Sequence, residues 1–216
     1  MKIQAIGHSG VVLTLTHKRF VFDDARVSRE PFSTDLDTWF FVSHAHGDHF
    51  HKSIFDQEGP AVLYILSYDV PAPGDLLNAF RFGADQKGRV RDVQVQTLRS
   101  TDEGVAFLLE TEDLTIYHAG DLNWWHWAGE TPAYNAAMER DFKAATEALC
   151  GKSIDIAFLP LDPRLEDSAF WGFDYVMRQA DVKKAIPIHM WGRTDIFDRF
   201  VQSSASAPYR DRLMLL

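Results

Sequence analysis

The sequence predicts an α/β domain in which β-sheets are covered by helices, and three observations carry that expectation. The first forty residues read as a strand meander, the second half alternates strands with helices, and no low-complexity segment separates the two parts. At 216 residues the chain is long enough for one sizeable core, so a single domain over residues 1–216 is expected. No internal repeat argues for a solenoid.

The meander is expected at residues 2–6, 11–16 and 19–23, paired antiparallel, with Gly7, Gly10 and His17-Lys18 as punctuation. Trp39-Phe40-Phe41-Val42 is short, aromatic or β-branched and bounded by polar residues, as a buried strand should be. Another strand is expected at 61–66. Pro71-Ala72-Pro73-Gly74 then breaks the chain before one or two helical turns at 75–82. Residues 90–98 alternate as one strand, and the runs 105–109 and 114–117 flank Glu112-Asp113 closely enough to predict a hairpin. Thr131 offers an N-cap hydroxyl before Pro132, and residues 133–149 have helix-forming composition up to Gly151. Strands at 154–160 and 185–189 and helices at 173–184 and 195–204 complete the alternation.

A hydrophobic fraction of 46% and a charged fraction of 25% exclude the disordered and membrane classes. The 22 basic and 31 acidic side chains leave a net charge of −9, which opposes attraction to a phosphate backbone, so nucleic acid is not expected as a partner. The chain has no basic start followed by an apolar segment, and no apolar run of about 18 residues. Neither a signal peptide nor a membrane span is therefore expected, and a cytoplasmic location is. Cys150 is the single cysteine, which excludes an internal disulfide and thiolate metal clusters; it reads as a small buried hydrophobe.

The chemistry concentrates at residues 43–50, Ser-His-Ala-His-Gly-Asp-His-Phe, where His44, His46, Asp48 and His49 follow a predicted strand. Imidazoles and carboxylates at this density are metal-ligand types. Two further candidates stand at later strand ends, Asp121 and His189. Taken singly they have blander readings: helix-capping histidines, a turn carboxylate, a core histidine. Together, ligand-bearing loops at strand ends fit an α/β active site. His44 and His46 alternate as on an extended segment and can address one ion, whereas Asp48 and His49 lie beyond a turn and can reach a second.

At His44-x-His46-x-Asp48-His49, Gly120-Asp121 and Pro187-Ile188-His189 the chain resembles the metallo-β-lactamase superfamily of dinuclear metallohydrolases. Gly7-His8-Ser9 and Tyr117-His118-Ala119-Gly120-Asp121 are most similar to its small ascorbate-6-phosphate lactonase-like branch. The resemblance implies an αβ/βα four-layer sandwich, two mixed β-sheets packed face to face with helices on both outer sides. It implies one or two divalent metal ions, zinc first, with manganese or iron as alternatives for a His and carboxylate set. His44 and His46 would bind the first, Asp48, His49 and His189 the second, and Asp121 would bridge them. A hydroxide between the ions would attack a small ester, lactone, amide or phosphoester, making Asp48 part of the catalytic centre and the partner a small-molecule substrate. The rival reading is a non-catalytic metal-dependent binding or sensing protein; diiron redox chemistry is a third, without a flavin-binding extension to support it.

One departure stands out. The family supplies a third histidine to the first metal from the strand end before the hairpin, and residues 98–104 read Leu-Arg-Ser-Thr-Asp-Glu-Gly. The first site is therefore expected to be the weaker, with Asp102 and His118 as candidate substitutes. His8 is expected beside a ligand carboxylate as a hydrogen-bond donor rather than as a ligand.

Trp124-Trp125-His126-Trp127 follows the Asp121 loop. It reads either as an aromatic pocket wall with His126 as a catalytic proton donor, or as packing or the interface of a homo-oligomer. Phe170, Trp171, Phe173 and Trp191 are candidates for the same cluster. Arg164 and Arg193 each follow a strand end, where each could grip a carboxylate or phosphate or simply pair with an acidic neighbour.

Overall fold

The computed structural model describes residues 1–216 apart from Arg29, Pro60 and Glu112, and every count below is of the described residues. By its contacts the chain divides into two compact units, residues 1–83 with Leu216 and residues 84–215. Each is built on one six-stranded mixed sheet.

In the first unit the strands are β1 (Lys2–Ala5), β2 (Val11–Thr14), β3 (Lys18–Phe22), β4 (Asp37–Val42), β5 (Val62–Ser67) and β6 (Ala79–Phe82), adjacent in that order. The expected meander holds as far as β3, with Ile3 opposite Leu13 and Leu13 opposite Phe20. From there the pairings are parallel, Phe20 beside Trp39, Phe40 beside Tyr64 and Ile65 beside Phe80. Parallel strands are covered on both faces, which is why β4 and β5 read as nearly unbroken apolar runs and are buried along their length. Phe40 stacks on Tyr64 at 5.4 Å, and Phe22 on Phe41 at 5.0 Å.

Residues 75–82 do not form the expected helical turns. The open edge of β5 captures them instead: the Tyr64 amide donates to the Asn78 carbonyl at 3.0 Å, the Asn78 side chain donates to the Val62 carbonyl at 2.6 Å, and β6 follows. A sheet edge in need of partners outweighs a weak local helix preference.

The second unit contains β7 (Lys87–Val90), β8 (Val93–Arg99), β9 (Val105–Glu110), β10 (Thr115–His118), α1 (Pro132–Thr146), β11 (Ser153–Ile154), β12 (Ile156–Pro160), α2 (Trp171–Gln179), β13 (Asp181–Val182), β14 (Ala185–Ile188) and α3 (Asp195–Gln202). Its main sheet has the order β14-β12-β10-β9-β8-β7, antiparallel from β7 to β10 and parallel from β10 to β14. The strand expected at 90–98 is β8 but starts at Val93, because Arg91 turns the chain at φ 50° and leaves Val90 on β7 opposite Val93. The hairpin expected at 105–117 is β9 and β10; Glu112 of its turn lies outside the described residues.

Thr131 caps α1 as expected, its hydroxyl accepting the Tyr134 amide at 3.2 Å. α2 is shorter than expected, since residues 181–182 leave the helix to pair with β11. Cys150 is exposed rather than buried, because the chain has already left α1 through the turn Glu147–Leu149 that precedes it. No described helix is long and apolar enough to cross a membrane.

The topology matters most for where strands end. β3 and β4 are parallel neighbours, as are β10, β12 and β14, so the residues following each group emerge at one edge of their own sheet.

Candidate metal centre

At the edge of the first sheet, Asp23 follows β3 and Ser43 follows β4. Asp23 is buried and its backbone adopts φ 44°, a left-handed conformation that only surrounding contacts sustain in a residue with a side chain. Gly10 makes room for it, since a Cβ there would lie 2.9 Å from the Asp23 carbonyl oxygen.

The Asp23 carboxylate accepts the Ser43 amide and the Ser43 hydroxyl, both at 2.8 Å, and meets His49 Nδ1 at 2.9 Å. A carboxylate in this role only accepts, so His49 Nδ1 carries the proton and Nε2 is left as the electron-pair donor. The same reasoning fixes His44. Ser43 spends its one hydroxyl hydrogen on Asp23, so His44 Nδ1, 2.9 Å from the Ser43 oxygen, donates and again leaves Nε2 as donor to a cation.

Past His44 the Ala45 amide is held by the Asp69 carboxylate at 2.8 Å. The amides of His49 and Phe50 then close on the His46 carbonyl at 3.0 and 2.9 Å. This turn gathers the side chains that the sequence spreads over six positions. His44 and His49 are buried while His46 is exposed, and the His44 ring lies 4.5 Å from that of His46 and 4.1 Å from that of His49. Donor atoms of His44 and His46 lie within 4.8 Å of each other, as do those of His8, Asp48 and His49. His8 Nε2 is 3.6 Å from Asp48, too far for the expected hydrogen bond and within the same group of candidate donor atoms.

At the edge of the second sheet, Asp121, Asp162 and His189 follow β10, β12 and β14. Asp162 is fully buried and accepts His189 Nδ1 at 2.9 Å, Trp191 Nε1 at 3.2 Å and the Arg164 backbone amide at 2.8 Å. The Arg164 guanidinium adds Nε and Nη2 at 2.5 to 3.0 Å. Burial alone would raise this carboxyl; the hydrogen bonds from His189 and Arg164 outweigh it and hold the group well below the usual carboxylate range.

His189 is buried at φ 64°, with Nε2 3.3 Å from Asp121. Burial pulls its imidazole down, but Asp121 and Asp162 together raise it above the ordinary histidine value. Both ring nitrogens of His189 thus face carboxylates, Nδ1 toward Asp162 and Nε2 toward Asp121. In each unit the donor types suit a divalent metal, nitrogen and carboxylate groups, with His44 and His49 in the first and His189 in the second each oriented through Nδ1.

The tryptophan run divides by alternation. Trp125 and Trp127 stack at 5.9 Å with planes 4° apart, and the Trp125 indole donates to the Asp121 carbonyl at 2.9 Å. Both line a cavity of about 220 Å³ that also holds Asp121, Asp102, Thr101 and Arg164. Trp124 and His126 belong to the other side, Trp124 against Phe142 and Trp171, and His126 4.6 Å from Trp171. His126 lines a different cavity, with Glu130 and Glu139, so the expected proton donor does not share the Asp121 cavity. The Trp125 and His126 amides each donate to the carbonyl two residues back, at 3.1 and 2.9 Å, a two-residue repeat that sends neighbouring side chains to opposite sides.

Within residues 98–104, Thr101 donates its hydroxyl to the Asn123 carbonyl at 2.6 Å and accepts the Asn123 amide at 3.1 Å, stitching this turn to the loop that carries Asp121. Asp102 is exposed and lines the cavity. His118 is buried against Phe158, its Nδ1 accepting the Gly120 amide at 3.2 Å. Arg193 is exposed and pairs with Asp195, while Phe170 and Phe173 each pack on Phe200 at 4.9 Å. The anchors Asp23, Ser43 and Asp162 were not among the sequence candidates, although each follows closely on a strongly apolar strand.

No protein-family model and no curated protein matches this sequence. Solved structures do. A metallo-β-lactamase fold protein from Bacillus subtilis superposes with a TM-score of 0.56 at 10% identity, covering 96% of this chain and 88% of that one. The chain has the metallo-β-lactamase fold. A candidate metal-dependent hydrolase from Parabacteroides distasonis shares it at TM-score 0.66 and 19% identity, over 99% of this chain and 91% of that one. So does a diiron β-hydroxylase from Streptomyces venezuelae, at TM-score 0.54 and 13% identity, over 87% of this chain and 44% of that one. The metallo-β-lactamase fold thus houses more than one chemistry, and the reaction has to be argued from the site.

Proposed function

We propose that the chain is a metal-dependent hydrolase of small esters, lactones, amides or phosphoesters. In this reading Asp48, His49 and His189 hold one divalent ion, His44 and His46 hold another, and Asp121 serves both. The observation that carries it is the repeated anchoring of histidines through Nδ1, His49 on Asp23 and His189 on Asp162, which leaves Nε2 of each as the ligand atom.

Bound divalent ions supply Lewis acidity toward a carbonyl or phosphoryl oxygen and make water acidic near neutral pH. The chain's part is orientation. Asp23 and Asp162 fix the imidazoles, Thr101 ties down the loop of Asp121, and Trp125 and Trp127 form an apolar wall beside it. Zinc leads, with manganese and iron as alternatives for this ligand set. Asp102 shares a cavity with Asp121, and in this reading it is the candidate substitute for the family's third histidine.

Chelator-treated protein is titrated with zinc, manganese and iron, metal content is determined, and p-nitrophenyl esters and phosphodiesters are assayed. Two ions per chain are expected, the tighter one lost in His49→Ala and His189→Ala, with turnover restored by metal. Stoichiometric metal without turnover on any substrate would support a binding or sensing protein. Failure to retain metal at all would sink both readings.

A further inference from the structure

The Arg164 head group is held before any ligand arrives. Asp162 takes its Nε and one Nη2 hydrogen, and the guanidinium carbon lies 4.5 Å from the Trp191 ring and 5.5 Å from the Trp127 ring. An arginine fixed in this way has already lost the side-chain freedom that binding would otherwise cost.

Its anchoring leaves donors over. A guanidinium carries five N–H groups, and the edge formed by Nη1 and the second Nη2 hydrogen is the one suited to an end-on, two-pronged grip on a carboxylate or phosphate. Nη1 takes no partner among the described residues, and the side chain is 47% exposed where it lines the cavity that holds Asp121. Asp162 does not require this head group for its own satisfaction, because His189, Trp191 and the Arg164 backbone amide already donate to it.

The remaining lining says what else the ligand should carry. Trp125, Trp127, Tyr134 and Met138 give an apolar and aromatic wall, Asp102 and Asp121 are acidic, and Arg164 is the one cation of that lining among the described residues. In a chain of net charge −9, and with two carboxylates in the lining, the metal-free cavity offers an anionic group its donors at the Arg164 end.

We infer that Arg164 is a substrate-selecting residue, gripping a carboxylate or phosphate on a ligand whose apolar or aromatic body rests on Trp125 and Trp127. This deepens the hydrolase reading and rests on it for its place in turnover, while the binding itself requires no metal.

The test uses chelator-treated full-length protein, so that no ion offers a second anion site. The indole N–H resonances of Trp125, Trp127 and Trp191 and the Arg164 Nε–H resonance are followed while benzoate, phenyl phosphate and uncharged benzamide are titrated in turn. The anions are expected to bind about tenfold more tightly than benzamide. Whichever of benzoate and phenyl phosphate binds better distinguishes carboxylate from phosphate. In Arg164→Lys and Arg164→Gln the preference should vanish while benzamide still binds, with melting curves confirming that each variant is folded.

Equal binding of benzamide and the anions, an unchanged preference in Arg164→Lys, or loss of all three probes together would each overturn the inference. Anion preference without metal-restored turnover would leave it standing and remove the hydrolase reading. Turnover of neutral and anionic esters with equal kcat/KM, and no anion binding, would do the reverse.

Discussion

The two units each carry a buried aspartate anchoring a histidine, and the two aspartates are set in different company. Asp23 and His49 lie 26 residues apart in sequence, Asp162 and His189 lie 27 apart. Asp23 holds the backbone and side chain of Ser43 and, through that hydroxyl, His44, all of them buried. Asp162 shares its oxygens with Arg164 and Trp191, both of which reach solvent. One carboxylate is thus a sealed scaffold for a whole loop, and the other joins His189 to groups at the molecular surface. The lesson is that the same hydrogen bond can be closed inside a buried loop in one setting and shared with solvent-reaching groups in the other.

The contrast can be broken most directly at Asp23. Asp23→Ala should strip partners from buried donors and cost about 3–5 kcal/mol, read from urea denaturation of the metal-free protein. A loss under about 1 kcal/mol would show that the loop does not depend on this carboxylate. Asp23→Asn, which keeps the size and one acceptor, should fall between the two.

Asp162→Asn should cost less stability, about 2 kcal/mol, and show its effect in metal affinity, weakened about 10- to 100-fold at the ion served by His189. It also has a signature in pH. His189 is raised in the folded state, so the stability it lends is present below the unfolded value of about 6.5 and is lost as pH rises through the folded one. Asp162 is depressed, so its contribution is present above about 3.9 and is lost as pH falls through the folded value. Metal must displace the His189 proton, so apparent affinity should climb with pH across the His189 titration. Ring-proton NMR of metal-free protein should place that titration above the ordinary range and show it falling in Asp162→Asn. An unmoved titration would mean that the two carboxylates are interchangeable after all.

The smallest effect is expected where the second unit ties its own loops together. Thr101→Val removes both hydrogen bonds to Asn123 and should cost about 1 kcal/mol, or roughly 2–4 °C in melting temperature. No shift would show that the turn carrying Asp102 is held by packing instead.

Much of this was legible in the chain because it is written locally. The ligand types at His44, His46, Asp48 and His49 follow one apolar strand within six residues, and Thr131-Pro132 announces a helix with its own cap. Asp121 and His189 were legible as polar ends of apolar strands. The third histidine's absence from residues 98–104 was legible too, but that Thr101 uses this turn to hold the Asp121 loop was not.

What the sequence by itself determined is therefore the stock of candidate ligand side chains and most of the elements that present them, because short-range periodicity, capping and turn chemistry act over a few residues. Tertiary structure alone decided which carboxylate meets which histidine, since that depends on which strands lie side by side. Asp23 reaches Ser43 because β3 and β4 are parallel neighbours, and Asp162 reaches His189 because β12 and β14 are. It also decided that Trp125 and Trp127 face the Asp121 cavity while Trp124 and His126 do not, and that residues 79–82 complete a sheet edge rather than a helix. Strand partners and the faces they cover are long-range choices, fixed only when the whole sheet has formed.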